Sequence, residues 1–182
     1  MPISQLVTEN QLDNWVRGNA RIAQGLIVEL VWRLVCLSCP KPEHRRFPLG
    51  DSIGQHGADG DLDTQIGFVP FVPEGKSHWE IGTNEDAKRK AESDYKDATK
   101  SVPQDIRAVT TFVFVTPLSG RKGWRYTFKK NGSATWFQEK RKLNQWKDVR
   151  VIDGTQLIDW IYQYPAIGHW LRGLILEVPA DF

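Results

Sequence analysis

The chain has 182 residues, 40% of them hydrophobic and 25% charged, which is a globular composition and excludes an intrinsically disordered protein. No apolar run approaches the ~20 residues that span a bilayer. Residues 1–20 carry polar and acidic groups where a signal peptide would need an apolar segment, so we expect no membrane association. Two cysteines exclude a disulfide scaffold and favour a cytoplasmic location.

The formal net charge of +2 conceals an uneven distribution. Residues 121–150 hold ten basic residues against two acidic ones, and aromatic residues are interleaved with them. This pattern favours a surface that binds a polyanion, because Lys and Arg neutralise phosphates and aromatic rings stack on bases. A solvated basic face over an aromatic core stays as the alternative.

The N-terminal part of the chain predicts one long helix. Thr8 and Gln11 have the spacing of a capping box, and apolar residues at helical spacing continue to about residue 37. Gly18 weakens the pattern locally without ending it, whereas Pro40 ends it. Residues 43–66 are rich in Gly and Asp and are expected to contain short extended pieces.

The middle of the chain predicts a β-hairpin, a helix and a buried strand. Residues 61–72 and 77–83 have strand patterns on either side of a short turn. Residues 84–100 are strongly charged, with a few apolar positions at helical spacing, and predict a solvated helix. Residues 108–117 form a continuous apolar run, which is typical of a strand covered on both faces.

The C-terminal part predicts a last short strand and two helical segments. The strand covers 149–152, Asp153 or Thr155 caps the first helix, and Pro165 begins the second. The whole order predicts a mixed α/β sheet with flanking helices, in a single domain covering 1–182.

Three carboxylates are candidate metal ligands. Asp59 lies between glycines at the start of the hairpin, and Glu80 lies in its second strand; carboxylates on adjacent strands can share a hard divalent cation. A turn residue and an edge charge are the alternative. Glu29 lies on the apolar face of the first helix, where a carboxylate must be paired or bound to metal. An ion pair with Arg33 is its alternative role.

Other catalytic motifs are absent from the sequence. Cys36 and Cys39 have the spacing of half a zinc site, but no second cysteine pair follows. The sequence has neither a Gly-Lys-Ser/Thr phosphate loop nor a G-x-S-x-G elbow, which disfavours ATP hydrolysis and serine-hydrolase chemistry.

Several short stretches form a series that resembles a known family. They are Gly-Ala-Asp-Gly at 57–60, the hairpin segment 71–83, Lys-Ala-Glu-Ser-Asp-Tyr at 90–95, Phe-Val-Thr-Pro at 114–117, the segment 146–153 and the apolar pattern around 157–160 and 170–171. With these motifs the chain resembles the PD-(D/E)xK nuclease superfamily. Within it, the chain is similar to nuclease-type domains at the N-termini of large bacterial anti-phage defence proteins of the STAND NTPase type.

The resemblance implies a restriction-endonuclease-like mixed β-sheet and phosphodiester hydrolysis with Mg²⁺ or Mn²⁺. It implies that Asp59 and Glu80 hold the metal and that Glu29, as an acidic residue of the first helix, assists as a third ligand. The family motif has Lys two residues after Glu, where this chain has Gly82. The resemblance therefore implies that Lys90, on the next helix, supplies the ammonium, with Lys76 as the weaker substitute.

The predicted function is that of a metal-dependent endonuclease acting on double-stranded DNA as an antiviral defence effector in the cytoplasm. The segment 1–182 would be one nuclease-like domain, either alone or as the N-terminal part of a longer protein. Attached NTPase or sensor domains, or a homo-oligomer, are the expected partners. The alternative is a catalytically inactive nuclease fold that serves in DNA binding or protein assembly.

Overall fold

The computed structural model of the protein describes residues 6–50, 57–119 and 124–176. Within these residues the chain forms seven helices and five strands. The helices are α1 (Glu9–Gly18), α2 (Ala20–Ser38), α3 (Ala87–Ser101), α4 (Gln104–Arg107), α5 (Ser133–Lys142), α6 (Gly154–Tyr162) and α7 (Pro165–Ile175). The strands are β1 (His44–Arg46), β2 (Gly60–Thr64), β3 (Gly75–Ile81), β4 (Thr110–Val115) and β5 (Asp148–Ile152). Arg121 and Lys122 of the basic segment lie outside the described residues.

All five strands belong to one mixed sheet with the order β1-β2-β3-β4-β5. β1, β2 and β3 pair antiparallel, so the predicted pairing of the two hairpin strands is confirmed. The predicted short turn is wrong, because residues 65–74 connect the strands and β3 already begins at Gly75. β3 pairs parallel with β4, and β4 with β5. Parallel neighbours need a crossover between them, and α3 and α5 lie in those two connections. The prediction of a mixed α/β sheet with flanking helices is confirmed.

The strand β4 separates two hydrophobic cores. All six of its residues are buried, as its apolar run predicts. Val113 and Val115 belong to the larger core, which includes residues of α1, α2, α6 and α7. Phe112 and Phe114 belong to the smaller core, which includes residues of α3 and α5. On the face of the sheet that α3 covers, an open cleft lies between the β2–β3 hairpin and α3.

The prediction of one helix to about residue 37 is wrong, because the chain breaks between α1 and α2. α1 ends at Gly18, and Asn19 leaves helical geometry with φ −130° and ψ 39°. The Asn19 side chain donates a hydrogen bond to the Trp15 carbonyl oxygen at 2.8 Å, which satisfies the end of α1. A glycine of low helix propensity followed by a capping side chain is enough to end this helix. Of the helices in the described ranges, none has the length and apolar character needed to cross a bilayer.

The first strand of the hairpin is shorter than the predicted range 61–72. β2 ends at Thr64, whose hydroxyl donates to the Ile66 carbonyl oxygen at 2.9 Å. Farther along, Pro70 has no N–H with which to continue the ladder. The short helix α4 and the helix α5 were not predicted. α5 lies inside the basic segment, where the many charged residues make the apolar positions of the helix hard to recognise in the sequence.

Candidate active site

An open cleft of about 1160 Å³ runs along the β2–β3 hairpin on the α3 face of the sheet. Alternation explains which strand side chains enter it, because residues two apart on a strand share a face. α3 supplies the opposite wall. The ionisable residues that line the cleft are Asp59, Asp61, Asp63, Glu80, Asp94, Asp97, Lys76, Lys90, His44 and His78.

Asp59 and Glu80 come together at one end of the hairpin. β2 begins at Gly60, which pairs with Trp79, so Asp59 and Glu80 are at the next pair of opposite positions. Opposite side chains on an antiparallel pair have Cβ atoms about 5 Å apart. Asp59 Oδ2 also accepts a hydrogen bond from the Ile81 N–H at 2.7 Å, which fixes the carboxylate against β3. The structure thus brings together these two predicted site residues.

The Asp59 carboxyl lies in surroundings that resist its ionisation. Its pKa is raised from 3.8 to about 6, with burial as the main cause. The hydrogen bond from Ile81 opposes the shift, the charge of Glu80 adds to it, and the charge of Lys90 opposes it. When both carboxylates are ionised, Asp59 and Glu80 place two negative charges close together in partly buried surroundings. A cation bound between them would stabilise both charges.

His78 holds the second carboxylate. His78 and Glu80 share the cleft-facing side of β3, with His78 Nε2 2.8 Å from Glu80 Oε1. Both side chains are mostly enclosed, with 12% and 13% of their surfaces exposed. The imidazole packs against Phe112 and Trp146, at ring-centroid distances of 5.8 and 5.3 Å. His78 is not among the predicted site residues, although a two-residue spacing from Glu80 on a strand predicts the contact.

The side chain of Lys90 fills the space beside Gly82. A Cβ atom built at Gly82 would lie 2.7 Å from Lys90 Cγ and 2.9 Å from Phe114 Cζ. The aliphatic stem of Lys90, which enters from α3, therefore lies where a side chain at position 82 would project. Glycine is needed at 82 because any Cβ atom would displace this stem or the Phe114 ring.

The Lys90 ammonium is held charged near both carboxylates. Its Nζ lies 2.6 Å from Asp94 Oδ1, one turn later on α3. Burial lowers the pKa of Lys90, but the hydrogen bond to Asp94 and the charges of Asp94, Asp59 and Glu80 outweigh burial, so the pKa is raised. A positive charge fixed in advance is the arrangement that stabilises negative charge as it develops in a reaction.

The substitute lysine, Lys76, lies at the far end of β3. It pairs with Asp63 of β2 and precedes Glu80 by four residues, which is roughly 13 Å along a strand. Its side chain is exposed at the outer part of the cleft. Of the two predicted lysines, Lys90 is the one whose stem packs against Gly82, two residues after Glu80.

Glu29 lies outside the cleft, so its predicted place beside Asp59 and Glu80 is wrong. It forms instead the ion pair with Arg33 that was the alternative role. Arg33 Nη2 is 2.8 Å from Glu29 Oε1, and 37% of the Glu29 side chain is exposed. α2 instead presents Gln24 to the cleft, where Nε2 donates to the Ile81 carbonyl oxygen at 2.7 Å. Gln24 Oε1 accepts a hydrogen bond from the Thr83 hydroxyl. Five residues of helix rotate a side chain by roughly 140°, so a helix that directs Gln24 to the site directs Glu29 elsewhere.

The carboxylate pair fits a hard divalent cation whose coordination is completed by other ligands. Among the described residues, no group of three His, Cys, Asp or Glu side chains could hold a metal ion. Mg²⁺ seldom uses such a cage; one or two carboxylates commonly bind it together with waters and substrate phosphates. Asp59 and Glu80 supply two oxygen donors of this kind, which suit Mg²⁺ or Mn²⁺ better than a thiolate-preferring metal.

Three cations of the basic segment form ion pairs, and several of its aromatic residues are buried. Lys140 pairs with Glu92 at 2.8 Å, and Arg141 and Arg150 pair with Asp148 at 2.7 and 3.2 Å. Four of its aromatic residues belong to the smaller core: Trp124, Trp136, Phe137 and Trp146. For these four rings, the alternative of an aromatic core is confirmed.

The basic segment includes an irregular, largely exposed loop at residues 124–132, here named the aromatic loop. Tyr126 and Phe128 are 54% and 60% exposed, and their rings meet edge to face at 5.8 Å. Three exposed basic residues flank them: Arg125, Lys129 and Lys130. Exposed rings among cations are the combination that stacks on bases and neutralises phosphates.

The aromatic loop is joined to the part of the molecule that carries Lys90. Trp124 packs against Phe114 at a centroid distance of 6.3 Å, and the Phe114 ring borders Gly82. Lys88 of α3 donates a hydrogen bond to the Asn131 side chain at 2.8 Å. The loop and the carboxylate pair therefore lie at the same end of the parallel strands.

Comparisons of the chain with protein-family models, with curated proteins and with solved structures find no significant match.

Proposed function

We propose that the protein is a Mg²⁺- or Mn²⁺-dependent endonuclease that hydrolyses phosphodiester bonds of double-stranded DNA. The observation that carries the proposal is the convergence of Asp59, Glu80 and the Lys90 side chain in one open cleft. Carboxylates on a hairpin, followed by a lysine-bearing helix and parallel strands, also support a restriction-endonuclease-like fold. They support membership of the PD-(D/E)xK superfamily in the same way.

The residues of the cleft have separate roles in the proposed reaction. A bound divalent cation would supply a nucleophilic water at neutral pH and polarise the scissile phosphate. Asp59, anchored by the Ile81 N–H, and Glu80, held by His78, would bind that cation. Lys90 would place its ammonium against phosphate oxygens, where it stabilises the negative charge of the transition state.

The aromatic loop is the proposed contact with DNA beyond the scissile phosphate. Its exposed cations can neutralise backbone phosphates without reading base sequence. Tyr126 and Phe128 stand beside those cations and can pack against sugars or unstacked bases. Its link to α3 through Lys88 and Asn131 supports a path for the duplex that passes the loop and the cleft together.

Cleavage of supercoiled plasmid tests the proposal. The wild-type protein is compared with Asp59→Asn, Glu80→Gln and Lys90→Met in Mg²⁺, in Mn²⁺ and in chelator. We expect each substitution to slow metal-dependent nicking by roughly 10²-fold or more. Glu29→Gln is the matched control, since it neutralises a carboxylate outside the cleft, and we expect it to cut at the wild-type rate. Equal cutting by all variants, or cutting in chelator, would overturn the assignment.

A second candidate is a nuclease fold that binds DNA without cutting it. The observation that favours it is Gly82 at the position of the motif lysine, together with the pairing of the Lys90 ammonium with Asp94. This candidate predicts salt-sensitive DNA binding that survives Asp59→Asn, with no cleavage products in either cation. The plasmid experiment separates the two candidates directly.

The biological setting is proposed from the resemblance alone. We propose a defence effector in the cytoplasm that works as a homo-oligomer or together with attached NTPase or sensor domains. Phages should form fewer plaques on cells that produce the wild-type protein than on cells that produce the Asp59→Asn variant. Equal plaque counts against a broad phage panel would count against this setting and leave the chemistry of the cleft unaffected.

A further inference from the structure

Asp94 is a buried carboxylate with one unsatisfied oxygen. The residue is 9% exposed and lies in the wall of the cleft. Oδ1 pairs with Lys90 Nζ at 2.6 Å, whereas Oδ2 is buried and has no hydrogen-bond partner among the described residues. A buried carboxylate is unfavourable unless it is fully paired, so stability alone gives no reason for it.

The neighbouring carboxylate Glu92 shows what a structural ion pair on the same helix looks like. Glu92 accepts hydrogen bonds from Lys140 and from the Trp136 indole, at 2.9 and 2.7 Å, and Lys96 lies 3.5 Å away. The contacts with Lys140 and Trp136 join α3 to α5, and Glu92 is not among the residues that line the cleft. Within the ranges that the structure describes, the Asp94 carboxylate joins α3 to no other element, and its one ionic partner is Lys90, on its own helix.

Lys90 needs a partner because its stem places the ammonium close to the carboxylates of Asp59 and Glu80. Packing against Gly82 fixes the stem at Cγ, and beyond that atom a lysine still has two rotatable bonds before its ammonium. Without Asp94, the nearest negative charges are those of Asp59 and Glu80, which already act on Lys90. The ammonium would then move onto the two carboxylates and occupy the place of the cation that they are proposed to bind.

We propose that Asp94 is a positioning residue: it holds the Lys90 ammonium back from Asp59 and Glu80, so that these carboxylates stay open to a divalent cation. This inference rests on the proposed function of the same cleft. It assigns Asp94 no contact with the reacting phosphate, since it acts through Lys90.

Calorimetric titration of the metal-free protein with Mn²⁺ tests the inference without relying on cleavage. We expect Asp94→Asn to weaken Mn²⁺ binding by about tenfold, because the released ammonium competes for the carboxylates. Asp97→Asn is the matched control: it removes an exposed charge from the same wall, one turn after Asp94 and two turns after Lys90 on α3, and should weaken binding much less. Circular dichroism melting establishes that each variant is folded.

Lys90→Met supplies the decisive background, because it keeps an apolar stem over Gly82 and removes the ammonium. If Asp94 acts through Lys90, then Asp94→Asn added to Lys90→Met should change Mn²⁺ affinity no more than Asp97→Asn does. The inference is overturned if Asp94→Asn weakens binding equally in both backgrounds, or in neither. A wild-type protein that binds no Mn²⁺ overturns the metal site itself, whereas wild-type binding that is insensitive to Asp94 overturns only the role of Asp94.

Discussion

Asp59→Asn should make the metal-free protein more stable at neutral pH, although it removes a proposed metal ligand. The asparagine side chain keeps an oxygen that can accept the Ile81 N–H hydrogen bond and loses the charge that burial and Glu80 disfavour. The pKa of Asp59 is raised from 3.8 to about 6. At about 1.36 kcal/mol for each pH unit, ionising this carboxyl costs the folded state about 3 kcal/mol.

The sign of the pH dependence follows from the direction of the shift. The folded state binds the Asp59 proton more tightly than the unfolded state does. The contribution of this group to the free energy of unfolding is therefore complete below pH 3.8 and is lost as the pH rises through about 6. The asparagine variant has no such loss. The variant should therefore exceed the wild type by about 1 kcal/mol at pH 4.5 and about 3 kcal/mol at pH 7.5.

Urea unfolding without divalent cations, at several pH values between 4.5 and 7.5, measures this difference. Asp61→Asn is the control, since it neutralises a carboxylate that is 41% exposed and pairs with His44, two residues farther along the chain in β2; we expect it not to reproduce the stabilisation by Asp59→Asn. Saturating Mg²⁺ should raise the stability of the wild type and leave Asp59→Asn nearly unchanged. The reasoning is refuted if Asp59→Asn is less stable than wild type at pH 7.5, or if the difference does not grow with pH.

Three further substitutions test separate parts of the structure. Gly82→Ala should slow plasmid cleavage by roughly 10²-fold, because its Cβ displaces the stem of Lys90; unchanged rates in a time course would contradict the proposed route of that side chain. Glu29→Gln should lower the free energy of unfolding in urea by under ~1 kcal/mol, as expected for an exposed ion pair. Gly132→Ala should lower the melting temperature clearly, at a cost of about 2 kcal/mol or more, since its Cβ would overlap the Thr127 carbonyl oxygen; a melting temperature equal to that of wild type would contradict the close approach seen at this position.

The parts of the site that share one hairpin were predictable from sequence. Asp59 and Glu80 are brought together by strand pairing, which the alternation of residues and the glycine-flanked start of the strand indicate. The contact between His78 and Glu80 follows from the same alternation. The buried strand β4 was equally clear, because a continuous apolar run has few other structures available to it.

The parts of the site that depend on how separate elements pack were not predictable. The position of Glu29 depends on the rotation of α2 about its axis, and the apolar pattern does not distinguish a half-exposed ion pair from a buried ligand. The break at Gly18 changes that rotation as well, because it makes α2 an independent helix. The stem of Lys90 reaches Gly82 only because α3 lies across the sheet at one particular height, which no local pattern encodes.

On the proposed function, the charge of the cleft lining would separate DNA binding at the aromatic loop from DNA cleavage in the cleft. Six carboxylates and two lysines line the cleft, so a duplex that approaches the metal-free protein is repelled there. The exposed cations of Arg125, Lys129 and Lys130 stand on the aromatic loop instead. If the protein is the proposed nuclease, a duplex could contact the loop while its backbone stays outside the carboxylate-lined cleft, and divalent cations would have to enter before the phosphate does. On the proposed function, the divalent cation would control the entry of phosphate into the cleft as well as the reaction inside it.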